Sequence, residues 1–320
     1  MRFDMRAPAF SAASSRELYR AALEMATWGD EHDCVQIVIS EHHGSEDGYL
    51  PSPLILASAM AARTKRIEIQ IGALIVPLHD PLRLAEDMAV LDLISGGRVS
   101  YATGVGYVEQ EFAQFDRSFK GRGKRMDESL EAMRNAWTGE PFEYRGRTVH
   151  VTPKPGSPGG PRMLMGGNTR VAARRAARFG LGMMSQGLNP DLATIYKEEC
   201  ERAGVTPGIC LNPQAGLVMT SFVSEDPDRA WAEIGPHMLH DAQMYAKWLG
   251  GTISVSKSTA RTVDELRAQK GAYQIYTPEA AVAYVKKNRI LMLQPLCGGL
   301  PPEIAWQSLE LIAAKVLPNL

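Results

Sequence analysis

Short apolar runs alternate with helix-period segments along the whole chain, and this alternation limits the possible folds more than any single motif does. Strand and helix taking turns in this way call for a parallel sheet with crossover helices on its faces. Candidate strands are residues 2–7, 35–39, 67–76, 98–103, 162–165, 182–185, 215–223 and 290–296, with helices between them. The tally is that of an α/β chain folded as a closed (β/α)8 TIM barrel. Barrels of 320 residues occur as one domain, so residues 1–320 are read as a single domain with insertions. The first insertion, about 138–161, contains a hairpin turning at Arg145-Gly146 and then four prolines. The second, about 239–276, is rich in Ser, Thr, Lys and Gly and reads as a lid.

Chemistry is concentrated where one strand stops. Val35, Ile37, Val38 and Ile39 form a β-branched run suited to burial on both faces, and it ends at Ser40, Glu41, His42 and His43. In parallel α/β architectures the carboxyl ends of strands carry the site, so this tip is a candidate pocket floor. The alternative is a surface loop that carries two histidines. Gly104 and Gly106 follow the fourth strand, where a missing side chain permits either close approach of a flat ligand or a tight turn. Gly166-Gly167-Asn168-Thr169 joins the fifth strand to a helix beginning at Arg170. Exposed N–H groups and the helix dipole suit a phosphate there, and an ordinary capped turn is the competing reading. Neither a P-loop nor a dinucleotide fingerprint is present, since no Lys-Ser/Thr follows these glycines.

Composition excludes several classes. A net charge of −1 with interspersed signs leaves no footprint for nucleic acid or for an anionic membrane surface. Arg170, Arg174, Arg175 and Arg178 are the one basic cluster, and its default reading is a solvated helix face. No apolar run is long enough for a bilayer, and the amino terminus does not read as a secretory signal. Cys34, Cys200, Cys210 and Cys297 are scattered without a Cys-x-x-Cys pair, which fits a reduced cytoplasmic setting and no structural zinc.

Several runs in order resemble the bacterial luciferase-like monooxygenases. They are Ser40-Glu41-His42-His43, then Gly72-Ala73-Leu74-Ile75-Val76-Pro77 with Pro81, then Leu91-Asp92-Leu93-Ile94-Ser95-Gly96-Gly97-Arg98, and finally Gly298-Gly299-Leu300-Pro301-Pro302-Glu303. The resemblance covers nearly the whole chain and is strongest over residues 41–137. It implies a flavin oxidoreductase using reduced FMN with oxygen, or the deazaflavin coenzyme F-420 in hydride transfer. By position it implies His42 as the catalytic base. His43 is the second candidate, and Glu41, which points away from His42 if the strand register continues, is read as an orienting neighbour. It places Gly72 and Ala73 in a strand often bent by a non-proline cis peptide behind the ring, and Gly104 at the tip of the next strand. Gly166, Gly167, Asn168 and Thr169 would hold the flavin phosphate, and Ser185 with Gln186 would border the ring. A departure falls at Val105, where luciferase has an arginine near the phosphate; Arg170, Arg122 or Arg125 are the candidate substitutes.

The expected reaction is oxygenation of a small organic substrate by a homodimer supplied with reduced flavin by a separate flavin reductase. Histidine suits the proton-transfer role because its ordinary pKa is near neutrality. Two other readings stay open at this level: a metal-dependent barrel hydrolase using Glu41, His42, His43 and His79, and a flavin- or partner-binding descendant without turnover. The first is disfavoured because adjacent histidines on a strand point to opposite sides.

Overall fold

The computed structural model describes every residue except Ala215 and residues 250–257. In chain order, the first elements are β1 (Arg2–Phe3), α1 (Ser15–Glu31), β2 (Gln36–Ile39), α2 (Pro53–Arg63) and β3 (Glu68–Ile75). They are followed by α3 (Pro81–Ser95), β4 (Val99–Gly104), α4 (Glu109–Gln114), α5 (Arg122–Ala136) and the hairpin strands β5 (Phe142–Tyr144) and β6 (Arg147–Val149). Next come β7 (Arg162–Gly166), α6 (Arg170–Arg178), β8 (Gly182–Met184), α7 (Leu192–Ala203) and β9 (Cys210–Leu211). The remainder is β10 (Thr220–Val223), α8 (Pro227–Leu249), α9 (Val263–Ala268), β11 (Tyr273–Tyr276), α10 (Pro278–Asn288) and α11 (Pro302–Leu311).

These elements fall into two compact units. A central unit comprises Val35–Gly44 and Pro51–Asn212, and a terminal unit comprises Met1–Cys34, Ser45–Leu50 and Pro213–Leu320.

In the central unit β2, β3, β4, β7, β8 and β9 form a parallel sheet in that order. Ile37, Ile39, Ile69 and Ile71 are fully buried, each contributing about 1.5–3 kcal/mol relative to exposure. The pairings Ile39 with Ile71, Ile75 with Gly104, Thr103 with Met165 and Gly166 with Met184 keep neighbouring strands in step. Their carboxyl ends therefore lie along one edge. The register slips by one residue between Gly72 and Leu74, and the Gly72–Ala73 peptide is cis, as the resemblance implies.

Much of the motif that precedes β4 serves the fold. Asp80 accepts from the Leu82 and Arg83 N–H groups as N-cap of α3, Pro81 occupies its first turn, and Gly96 ends it in the left-handed region. Arg98 donates to the Ala61, Thr64 and Ile67 carbonyls and so anchors the end of α2. Asp92 accepts from the Ser157 N–H at 2.8 Å and from its Oγ at 2.6 Å, tying the proline-rich insertion to α3. The hairpin expected within residues 142–151 is β5 and β6, an antiparallel pair closed by Arg145 and Gly146.

In the terminal unit β10 and β11 pair in parallel. Ser14 caps α1 through a reciprocal box with Glu17. Buried charges meet here: Arg2 reaches Asp4 and Asp241, Arg6 reaches Asp47 and Asp241, and Gln294 joins Arg2 to Thr220.

Two expectations differ from the structure. The 239–276 stretch is not broken throughout: α8 runs on to Leu249, and Tyr273–Tyr276 is the core strand β11. The Ser, Thr, Lys and Gly composition around it masked a four-residue strand that leads directly into the Thr277-Pro278 helix entry. The middle of the expected lid, residues 250–257, lies outside the described residues, as does Ala215 in the expected strand at 215–223. Residues 290–296 form only a single bridge, Leu293 to Ser221. Arg2 and Ser221 N–H groups donate to the Leu293 and Met292 carbonyls, but Pro295 has no N–H with which to extend a ladder.

Candidate active site

The sequence places its histidines just past β2, and the central unit gathers around them a set of side chains from three strand ends. Glu41 is buried, 2% exposed, and accepts on Oε1 from His43 Nε2 at 2.9 Å and His79 Nε2 at 2.8 Å. Its Oε2 receives the Ile75 N–H at 2.5 Å. Burial raises the Glu41 carboxyl, but the hydrogen bonds from His43 and His79, the His79 charge and the Ile75 N–H outweigh it and bring the pKa down to about 2. Burial likewise lowers His79, and the hydrogen bond and charge of Glu41 win, raising it above its ordinary value. Glu41 thus clamps the end of β2 to the end of β3, and Ser40 Oγ adds a bond to the Gly72 carbonyl at 2.5 Å.

His42 faces another partner. Its Nδ1 lies 2.7 Å from Glu111 Oε1, the same oxygen that receives the His43 N–H at 3.0 Å. The Tyr107 hydroxyl lies 3.1 Å from His42 Nε2. His42 and Glu111 are 6% and 2% exposed, whereas Tyr107 is 43% exposed. The three residues make a row from the surface inward. His43 turns instead toward Phe115, edge to face at 4.7 Å between ring centroids.

Sequence reading overlooked Glu111. It sits in the six-residue α4, too short for helical periodicity to register, and the neighbouring Phe112 is the only apolar anchor of that turn. A glutamate beside a phenylalanine soon after Gly104 and Gly106 is the local signal the sequence offers.

The glycines at the strand ends are required by the protein's own packing. A Cβ at Gly104 would stand 3.2 Å from the Ala73 Cβ, and one at Gly166 3.0 Å from the Thr103 carbonyl oxygen. Gly106, at φ +77°, would meet the Phe112 ring at 2.7 Å and Ile75 at 2.9 Å. Gly167 has φ +140°, a conformation open to glycine, and leads to Thr169, whose side chain accepts from the Ala172 N–H as N-cap of α6. Asn189 Nδ2 donates to the Asn168 carbonyl at 2.7 Å and braces that turn. Ser185 is buried and donates to the Gly187 carbonyl, and Gln186 is exposed beside it.

Three arginines of the cluster, Arg170, Arg174 and Arg178, lie on an exposed face of α6, as expected, and Arg175 is half-buried. Arg170 and Arg174 both bind Glu199 of α7, Arg175 pairs with Asp127 of α5, and Arg178 lies over the Phe179 ring. Arg122 stacks on Phe119 at 3.7 Å and donates to the Gly106 carbonyl, while Arg125 donates to the Ser118 carbonyl. All three substitutes considered for the position of Val105 are therefore engaged within the central unit.

From β2 to β8 the edge holding His42, Ala73, Gly104, Gly166 and Ser185 spans about 19 Å at ordinary strand spacing. An imidazole at the β2 end and a capped helix start after β7 suit an extended, flat molecule with an anionic tail. Among the described residues no group of three or more His, Cys, Asp or Glu side chains is arranged to hold a metal ion, and the two Glu41 oxygens are already occupied.

A sequence profile of the luciferase-like monooxygenases matches residues 1–284. The chain belongs to that family and is an oxidoreductase. It is 27% identical over 273 residues to 4-hydroxyprotoasukamycin monooxygenase of Streptomyces nodosus subsp. asukaensis, covering 76% of this chain and 73% of that protein. Three uncharacterised mycobacterial relatives are matched over 55% of their own length. Among solved structures, the monooxygenase RslO1 of Streptomyces bottropensis is similar with TM-score 0.72 and 27% identity, covering 100% of this chain and 99% of that one. The FMN complex of the oxygenating constituent of 3,6-diketocamphane monooxygenase of Pseudomonas putida has TM-score 0.67 at 21% identity, covering 97% and 95%, and shares the fold. The relatives also include glucose-6-phosphate dehydrogenases dependent on F-420.

Proposed function

We propose that this protein is the oxygenase component of a two-component monooxygenase that uses reduced FMN and O2 on a small organic substrate. The observation that carries the reading is the buried His42–Glu111 pair at the same sheet edge as the capped turn at Gly166–Thr169. Family membership and the monooxygenase name of the relative matched over 76% of this chain support the choice of FMN. The chain is read as a (β/α)8 barrel forming one domain. A flavin reductase as supplier, a homodimer and a cytoplasmic setting belong to the same reading. Among the described residues no helix is long and apolar enough to cross a membrane.

The residues fit the cofactor. Gly72, Ala73 and Gly104 present a strand edge without bulky side chains, Ser185 and Gln186 border it, and Asn168, Thr169 and the first turn of α6 offer N–H groups to a phosphate. Bound there, reduced FMN supplies the oxygen chemistry. His42 accepts a proton at Nε2, His43 stands next to it, and Glu41 orients His43 and His79.

Anaerobic titration of the purified protein with reduced FMN and with reduced F-420 tests the proposal. Saturable FMN binding, and weakening of it by Thr169→Ala, is the expected outcome. Tight F-420 binding with negligible FMN binding would replace the oxygenase reading by deazaflavin hydride transfer on the same site.

A further inference from the structure

The proposed function needs a histidine whose proton sits on a defined nitrogen, and the geometry around His42 leaves one neutral arrangement. Glu111 Oε1 already receives the His43 backbone N–H at 3.0 Å, and an amide N–H can only donate. As a carboxylate Glu111 only accepts, so His42 Nδ1 at 2.7 Å is the donor. With the proton on Nδ1, Nε2 of a neutral imidazole carries the lone pair and accepts from the Tyr107 hydroxyl at 3.1 Å.

We propose that Glu111 is a positioning residue that sets the tautomer and ring orientation of His42, leaving Nε2 as the basic nitrogen and Tyr107 as the outward end of the row. This rests on the flavin oxygenase reading for its chemical purpose, but its geometry stands without it. Glu111 acts in two ways through one oxygen. It orients the ring through Nδ1, and it holds the backbone of the next residue, so the imidazole can neither flip nor swing with the loop. When Nε2 takes a proton from a hydroxyl, the N–H bond forms there as the O–H bond breaks. The buried carboxylate then offsets the imidazolium charge, and no electron changes hands. Glu111 Oε2 is buried and has no hydrogen-bond partner, so the carboxylate is committed to this contact through its other oxygen. Tyr107 packs edge to face on the imidazole, 5.6 Å between centroids at 74°, and its exposed hydroxyl is where the row meets solvent or substrate.

The test combines ring-nitrogen NMR of uniformly 15N-labelled, cofactor-free protein with turnover on reduced FMN. In the wild type the His42 signals should show a protonated Nδ1 and a lone-pair Nε2. Glu111→Ala should mix the tautomers, and Tyr107→Phe should leave Nδ1 protonated. Glu111→Gln, which keeps an acceptor oxygen and loses the charge, should lower kcat by about 10²-fold or more with KM little changed. It should also move the acid limb of kcat/KM to lower pH. A proton found on Nε2 in the wild type, or a tautomer indifferent to Glu111→Ala, would overturn the proposal. If Glu111→Ala does not fold, the Glu111→Gln pH profile decides: an unmoved limb overturns the proposal. A wild type that shows the expected tautomer but no turnover on reduced FMN counts against the oxygenase reading and leaves the role of Glu111 standing.

Discussion

At the scale of single residues, one tetrapeptide divides its labour between two carboxylates. Glu41 holds His43 and His79, while Glu111 holds His42, so two adjacent histidines end up in separate circuits. The Glu41 circuit has a pH signature. Its carboxyl lies near 2 in the folded protein against 4.5 for a free glutamate, so it adds stability above about pH 4.5 that is lost as the pH falls toward 2. His79 is shifted up, so its contribution is complete below its ordinary value of 6.5 and is lost as the pH rises through the folded pKa. The wild type should exceed Glu41→Gln by on the order of 3 kcal/mol between these limits. Denaturant melts at pH 6 and pH 3 should show that gap shrinking on acidification. A gap of constant size would mean that Glu41 is not ionised against its two imidazoles.

At the scale of elements, junctions matter more than element interiors. The strands β4 and β7 end in glycine because neighbouring backbones and side chains fill the space a larger side chain would need. Gly106→Ala should therefore destabilise the protein by about 1–3 kcal/mol through overpacking, and more if the φ of +77° resists the change. The same substitution should disturb Phe112 and, through α4, Glu111, so turnover should fall with stability. Denaturation and activity measured on the one variant would expose a mismatch. Helix starts rest on local capping chemistry: Ser14, Asp80 with Pro81, Thr169, and Thr277 with Pro278 each open a helix. The short elements were not readable, because α4, β9 and β11 offer six residues or fewer for a periodic signal.

At the scale of the whole molecule, each unit is built around a different kind of interior. The central unit buries isoleucine-rich parallel strands, while the terminal unit buries two arginines among three aspartates. Removing one partner from such a network leaves a charge unpaired, and Asp241→Ala should cost about 3–5 kcal/mol, checked by urea denaturation. The tyrosine hydroxyl of Tyr273 on Asp241 and the rings of Tyr49 and Trp248 about Arg6 add to what that one carboxylate holds in place.

The sequence by itself determined the α/β class, most strand starts, and the histidine pair at a strand end. These follow from local periodicity, capping chemistry and an abrupt change from apolar to polar residues. It also contained the ordered motifs that mark the family. Only the tertiary structure decided which histidine meets which carboxylate, because Glu111 lies 69 residues from His42 and reaches it through the turn after β4. It likewise gave the arginines of α6 their carboxylate partners on α5 and α7, and made Leu293 a bridge where a strand was expected. Hydrogen bonds and ion pairs of this kind depend on where distant backbone segments converge, and a linear pattern carries no record of that convergence.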